Sequence, residues 1–542
     1  MKNRSDFVKN LILAVSFGIL LWLAFPPFRT GFFAYIGLVP LLILLDRLKN
    51  YLQVLRYSYL GLVIFHALTI YWIGGWGAKT DIFMELGSIA LILIHPVFYW
   101  IPISVYFFIK KYYRGKVALF AFPFLWNAIE YFRSVEETAF PWLTLGNTQS
   151  YYLPIIQITS FIGIYGLSFL IVVFNVLIFI AYKNYRYMSL RFALNKIAIV
   201  IIILLVIFIY GKVVINDIDP PGNQLKVGMV QPDFDPWDKW EEGDINSQLS
   251  VYLSLSDSAV NEGAELVVWP ETALPVYLVS GKYPEEVARI RKFVVEKKVH
   301  ILTGLPLVHF YFSKEEAKKE SRLSRDSAYY YDSYNGAVLF SPNEDNLQKY
   351  GKRKLVPFAE RSPYLHYLPF LGDWIKWGVG ISNWSVWDKQ TVFGFKDSNG
   401  DSVKFSVGVC YESIFPAFNA DFVKNGAQFL VVITNDSWYG ELSGPYQHKQ
   451  FAVFRAIENR RWIVRAANGG ISCLIDPIGV TTEETKLYTR RFLVGDIYLR
   501  SETTFYTQYQ DLISYVSVLV SILIFVMTFI RKIRMKKYNA DN

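Results

Sequence analysis

The chain has 542 residues, of which 53% are hydrophobic, 17% aromatic and only 19% charged. A charged share below the usual ~25%, joined to so many apolar side chains, excludes a disordered chain and argues against a wholly water-soluble one. Two cysteines exclude a disulfide-dense scaffold, and the net charge of +9 fits nucleic acid, an anionic membrane or membrane topology until its distribution is read.

Eight apolar stretches are long enough to cross a bilayer: 10–25, 31–46, 57–75, 86–109, 117–133, 155–182, 197–214 and, near the C-terminus, 510–530. The strongest are 197–214, apolar from Ile197 to Tyr210, and 510–530. Pro26, Pro27 and Pro40 punctuate the first two. Lys2, Arg4 and Lys9 precede the first stretch as they would in a signal peptide. No small-residue cleavage site follows Ala24, and another apolar stretch comes at once, so the first is read as a membrane span.

Lys and Arg in the short loops set orientation. They gather in every second segment: Lys2, Arg4 and Lys9; Arg47, Lys49 and Arg56; Lys110, Lys111, Arg114 and Lys116; Lys183, Arg186, Arg191 and Lys196; Arg531, Lys532, Arg534, Lys536 and Lys537. The intervening loops carry only Arg29, Lys79, Arg133 and Lys212. Eight crossings with this alternation predict both termini in the cytoplasm and residues 216–508 outside. The basic segments hold nineteen Lys and Arg against Asp6, Asp46 and Asp541, a balance of +16 that leaves −7 for the rest of the chain. The positive charge is a topology signal, and a nucleic-acid binder is excluded.

Composition changes at Asn216, and Asp217-Ile218-Asp219-Pro220-Pro221-Gly222 reads as a linker. Strand-like runs follow at 225–230, 266–269, 300–305, 336–340, 403–409, 428–434, 462–466 and 471–475, with helical stretches at 245–262, 284–298 and 446–460. That alternation predicts a layered α/β domain with buried strands. Residues 311–335, charged and rich in tyrosine, read as an inserted surface loop. The expected domains are a seven-helix membrane domain (1–215), a catalytic domain (223–503), a C-terminal membrane helix (510–530) and a basic cytoplasmic tail (531–542).

Three residues at predicted strand ends and turns carry chemistry. Cys410 follows Val407-Gly408-Val409, where a thiolate could attack a carboxyl derivative and hold it as a thioester. Glu271 follows Trp269-Pro270. Proline cannot continue a central ladder, so the carboxylate emerges at the sheet edge, where it can take a thiol proton. Lys352 opens Lys352-Arg353-Lys354-Leu355-Val356-Pro357-Phe358-Ala359-Glu360 and could stabilise a thiolate or an oxyanion. Read alone, Cys410 is equally a small buried residue or half of a disulfide with Cys473. Glu271 is equally a solvated loop residue, and Lys352 one charge of a basic run.

Jointly, W-P-E-T at Glu271, K-x-x-L-V-P-F-x-E from Lys352 to Glu360 and C-Y-E at Cys410 resemble the Glu-Lys-Cys triad of the nitrilase superfamily. The membrane flanks narrow the resemblance to the apolipoprotein N-acyltransferase family. Similar motifs are Asn435-Asp436-Ser437-Trp438-Tyr439-Gly440, Gln447-His448, Arg455-Ala456-Ile457-Glu458 and Arg465-Ala466-Ala467-Asn468-Gly469-Gly470. In the membrane part, Phe140-Pro141-Trp142-Leu143 and the run from Gly163 to Phe169 are similar too. Ala359 stands where the family usually has glycine, and the segment after Gln231 departs from the family pattern.

The resemblance implies a nitrilase-like αββα sandwich outside a multi-pass helical membrane domain, in a bacterial inner membrane. It implies acyl transfer from a phospholipid, expected to be phosphatidylethanolamine, to the N-terminal amine of a diacylated apolipoprotein. Glu271 would be the base, Cys410 the nucleophile, and Lys352 with the Tyr411 N–H the oxyanion donors. Glu360 would orient Lys352 or the amine, Tyr411 and Glu412 would shape the pocket, and Trp240 and Trp438 would meet acyl chains or gate entry. A monomer without cofactor is expected. Six scattered histidines and two distant cysteines show no metal-ligand spacing. A membrane-tethered amidase would use the same triad. A transporter would need ionisable residues within its spans, where the candidates are few: His66, His95 and Glu130.

Overall fold

The computed structural model describes residues 2–76, 79, 81–113, 115–135, 137–217, 222–241, 244–324, 326–342, 344–364, 367 and 383–541, with the side chains of 2–3, 240–241 and 540–541 excepted. Most of the predicted linker and the side chain of Trp240 therefore lie outside the described residues. The chain divides into two compact units: 1–74 with 86–218 and 509–542, and 75–85 with 219–508.

The first unit is helical. Among the described residues, six helices are long and apolar enough to cross a membrane: Arg4–Ala24, Tyr51–Gly74, Ile82–Tyr112, Thr159–Tyr187, Leu190–Asp217 and Leu512–Asn539. Two of the eight expected spans are not among them, each for a local reason. Residues 31–46 break into a 3-10 turn Gly31–Phe33, a single turn Ala34–Gly37 and a nine-residue helix Val39–Arg47, with Pro40 in its first turn. Residues 117–133 do lie on one helix, Gly115–Val135, but it carries Glu130 and Arg133. Both are buried and partnered. Glu130 accepts from Trp126 Nε1 at 2.9 Å and from the Leu145 N–H at 3.1 Å. Arg133 Nε donates to His95 Nε2 at 3.1 Å, and His95 Nδ1 meets His66 Nε2 at 2.7 Å. The ionisable residues that a transporter would use are tied up inside the helical unit.

The second unit holds two sheets. Its strands are β1 (Gln224–Gln231), β2 (Leu266–Val268), β3 (His300–Tyr311), β4 (Arg322–Leu323), β5 (Tyr330–Ser341), β6 (Glu344–Gly351), β7 (Val392–Lys396), β8 (Ser402–Val409), β9 (Phe429–Thr434), β10 (Ile463–Ala467), β11 (Cys473–Ile475), β12 (Thr481–Glu484) and β13 (Arg491–Tyr498). The first sheet runs β13-β1-β2-β3-β5-β4, with β6 on β5; the second runs β12-β11-β10-β9-β8-β7. β1-β2-β3 and β8-β9-β10 are parallel. Parallel strands buried on both faces read as unbroken apolar runs, as in Phe429-Leu430-Val431-Val432-Ile433, buried throughout.

The unit's helices include α1 (Pro236–Glu241), α2 (Ile245–Asn261), α3 (Pro284–Lys297), α4 (Pro416–Lys424) and α5 (Ser443–Asn459). α2 and α3 pack on the first sheet, α4 and α5 on the second, and β1 meets β10 while β5 meets β8 between the sheets. This is an αββα sandwich. The region 311–335 is not all loop. β3 and β5 pair from Ile301↔Phe340 to Tyr311↔Tyr330, a hairpin whose connection is 312–329. Tyr311, Tyr330, Tyr331 and Tyr334 are strand residues, and Tyr311 and Tyr334 both donate to Asp332 Oδ2, at 3.0 and 3.1 Å.

Candidate active site

Each of the three predicted catalytic residues follows the end of a strand. β2 stops at Val268, the Trp269 N–H closes on the Leu302 carbonyl at 2.8 Å, and Pro270 turns the chain. Glu271 is buried, not solvated. Gly304 of β3 makes this possible: a Cβ there would lie 2.5 Å from the Pro270 carbonyl oxygen and 2.7 Å from Glu271 Cα. Lys352 follows β6, and its N–H donates to the Asn335 carbonyl at 2.7 Å. Cys410 follows β8 at the start of a 3-10 turn, with φ of +48°. For a residue with a Cβ this left-handed conformation is strained and persists only when neighbours fix it.

The fold brings Glu271, Lys352 and Glu360 together. Lys352 Nζ lies 2.8 Å from Glu360 Oε1 and 3.4 Å from Glu271 Oε1. Asn335 Nδ2 donates to both carboxylates, at 2.7 Å to Glu271 and 3.0 Å to Glu360. The Asn435 N–H donates to Glu271 Oε2 at 3.1 Å, and the Val356 N–H to Glu360 Oε2 at 2.8 Å. A buried cation between two buried carboxylates, with the spare oxygens bonded, satisfies the requirement that buried charge be paired.

Cys410 shares this electrostatic environment. Burial pushes its thiol up, the Glu271 carboxylate pushes it further, and Lys352 opposes both. Glu271 is itself raised, by burial first, against the pull of Lys352. Burial pulls the Lys352 ammonium down, but Glu360 and Glu271 outweigh it and hold it above its ordinary value. The thiol is thus harder to ionise than a free cysteine, and Glu271 is a stronger base than a free carboxylate. Cys410 and Cys473 are both free, so no disulfide blocks the thiol.

Glu412 has a larger role than shaping a pocket. It is fully buried and accepts four hydrogen bonds: Tyr350 OH and the Arg353 N–H at 2.7 Å, the Lys354 N–H at 3.2 Å and the Val409 N–H at 2.8 Å. It ties the turn of the nucleophile to the turn of the lysine. Tyr411 is buried edge-on against Phe415, with ring centroids 5.2 Å apart. Trp438 packs edge-on against Trp237 at 5.1 Å and lines a cleft of about 490 Å³ with Phe234, Trp237 and Tyr488.

Sequence reasoning assigned no role to several residues that the fold places here. Asn335 bridges the two glutamates, and its only signal was a polar residue in an apolar strand. Asp436, His448 and Arg465 appeared in motifs without a function; they form a buried chain behind Cys410. Lys239 on α1 is buried, and its Nζ has no hydrogen-bond partner among the described residues. Burial pulls this ammonium down to about 7, with Glu271 partly opposing.

Two family models match the chain. One, described as apolipoprotein N-acyltransferase N-terminal domain, matches residues 17–177; the other, carbon-nitrogen hydrolase, matches residues 226–504. An apolipoprotein N-acyltransferase of Chlorobaculum tepidum is 32% identical over 517 residues, covering 94% of this chain and 94% of the relative. One of Geobacter metallireducens is 32% identical over 97% of this chain and 96% of the relative. Among solved structures, Saccharomyces cerevisiae Nit3, of the nitrilase superfamily, aligns at 17% identity and a TM-score of 0.38, covering 52% of this chain and 92% of that one. An amidase from Nesterenkonia sp. aligns at 17% identity and a TM-score of 0.36, covering 54% and 96%.

Proposed function

Because the chain belongs to the apolipoprotein N-acyltransferase family, we propose that it moves an acyl chain from a phospholipid to the N-terminal amine of a diacylated apolipoprotein through a thioester on Cys410. Glu271 takes the thiol proton as Cys410 Sγ attacks the glycerol ester carbonyl. Lys352 and the Tyr411 N–H hold the tetrahedral oxyanion; one such donor is worth roughly 3–4 kcal/mol. Collapse breaks the ester bond, and the leaving alkoxide takes the proton back from Glu271 and departs as lysophospholipid. The lipoprotein amine then attacks the thioester and gives its proton to Glu271; the C–S bond breaks as the amide forms, and Glu271 passes the proton to the departing Cys410 sulfur. This is ping-pong chemistry.

The observation that carries the reading is the buried Glu271–Lys352–Glu360 cluster, which shares its electrostatics with a thiol on a left-handed turn. Glu360 is a positioning residue for Lys352, since it touches the ammonium. The phosphatidylethanolamine donor and the periplasmic face of an inner membrane rest on the family and on the loop charges. Membrane anchorage has a physical reason: withdrawing an acyl chain into water costs about 0.8 kcal/mol per CH₂.

Mass spectrometry of the purified full-length protein incubated with phosphatidylethanolamine tests this. An acyl-sized adduct on Cys410, absent in Cys410→Ser and discharged by a diacylated lipopeptide amine, is the expected result. Hydrolysis of small amides with no lipid adduct would overturn it in favour of the amidase.

A further inference from the structure

The Cys410–Tyr411 peptide has two ends. Its N–H is the oxyanion donor of the acyl-transfer reading. Its carbonyl oxygen, on the opposite side of the same plane, is gripped from within the protein. Ser413 Oγ donates to it at 2.7 Å, and His448 Nε2 lies 3.2 Å from it and 2.9 Å from Ser413 Oγ. His448 Nδ1 sits 2.9 Å from Asp436 Oδ1, and Asp436 is in turn ion-paired with Arg465. Arg465 Nη2 also lies 3.4 Å from His448 Nδ1, so the ring is held from both of its nitrogens. All four side chains are buried.

We infer that the chain Arg465–Asp436–His448–Ser413 is the positioning device of the oxyanion hole, acting on the Tyr411 N–H through the Cys410 carbonyl. The inference rests on the acyl-transfer reading of the site. A peptide unit is planar and rigid, so fixing its oxygen fixes the direction of its N–H. A hydrogen bond accepted by a carbonyl also polarises the amide and strengthens the N–H as a donor. The left-handed φ of Cys410 needs such a restraint, because an unrestrained cysteine would relax toward ordinary φ and swing the N–H away. These are positioning residues: they reach the reacting atoms only through the peptide.

The test separates the oxyanion hole from the nucleophile. Alkylation of Cys410 by iodoacetamide is a displacement with no oxyanion, whereas acylation by phospholipid has one. Full-length Ser413→Ala, His448→Gln and the double variant are compared with the parent. The expected result is an acylation rate lower by about 10- to 100-fold in each single variant, with KM for phospholipid within about twofold and alkylation within about twofold. The double variant falls short of the product of the singles, because both act through one carbonyl. The carbonyl stretch of the accumulated thioester moves to higher wavenumber in Ser413→Ala as its donor weakens. Parallel loss of acylation and alkylation, or unchanged acylation in Ser413→Ala, would overturn the inference while leaving the acyl-transfer reading intact. A parent protein that forms no thioester on Cys410 would overturn both.

Discussion

Glu271 and Lys239 are two buried ionisable residues with opposite fates. Glu271 has Lys352, Asn335 and a backbone N–H for company, so its burial sharpens a base. Glu271→Gln keeps the shape and removes the proton acceptor. The expected outcome is a fall of about 100-fold or more in thioester formation, read by single-turnover mass spectrometry, with little change in thermal stability. A loss of less than about tenfold would deny Glu271 the role of base. Lys239 has no such company. Its ammonium is pulled down to about 7 from an ordinary 10.5, so between those values the unfolded chain binds a proton that the folded chain does not. Stability therefore rises with pH across that window. Lys239→Met removes the buried amine. The variant is expected to melt higher than the parent near pH 7, with the gap closing as pH approaches 10.5. A gap independent of pH would refute the buried-amine account.

Strands and turns decide where these side chains arrive. β3 lies beside β2 in parallel, and Gly304 leaves the space through which the Pro270–Glu271 turn passes. Gly304→Ala would press a methyl against backbone that has no rotamer to yield. The Glu271 turn must shift, and acylation is expected to fall at least tenfold, the scale of a misplaced catalytic group, while alkylation of Cys410 persists. Full activity in that variant would mean the turn is not a fixed element. The same scale explains what was legible in the sequence. The parallel inner strands were, because burial on both faces demands unbroken apolar runs. β6, β12 and β13 were not: Glu344-Asp345-Asn346 and Thr481-Thr482-Glu483-Glu484 face solvent and read as loop. Glu271, Lys352 and Cys410 could be found because each sits in a dense local motif. Asn335 could not, since its meaning lies in two glutamates 64 and 25 residues away. In the helical unit, length and hydropathy found the long spans and Pro40 marked the second stretch as interrupted, but the buried partners that let Glu130 and Arg133 sit on one helix were not legible.

Across the whole chain, charge separates into a basic set of alternate loops and a remainder that carries −7. Among the described residues, five of the six long apolar helices lie within residues 1–217, where seven stretches were expected from the sequence. Both counts are odd, so a cytoplasmic N-terminus puts residues 219–508 on the far side either way. The single span Leu512–Asn539 then brings the C-terminus back. In that orientation Arg531 to Lys537, in the C-terminal part of this last helix, fall on the side the positive-inside rule requires. Labelling with a membrane-impermeant maleimide tests this in the full-length chain carrying Cys410→Ser. Asn399→Cys lies in an exposed turn of the catalytic unit, and Tyr187→Cys on the exposed end of the helix Thr159–Tyr187. In intact spheroplasts Asn399→Cys is expected to label, and Tyr187→Cys only after lysis. Labelling of Tyr187→Cys in intact spheroplasts with Asn399→Cys protected would invert the topology. An enzyme so inverted would face the cytoplasmic leaflet and leave the +16 of its basic loops outside, against the positive-inside rule.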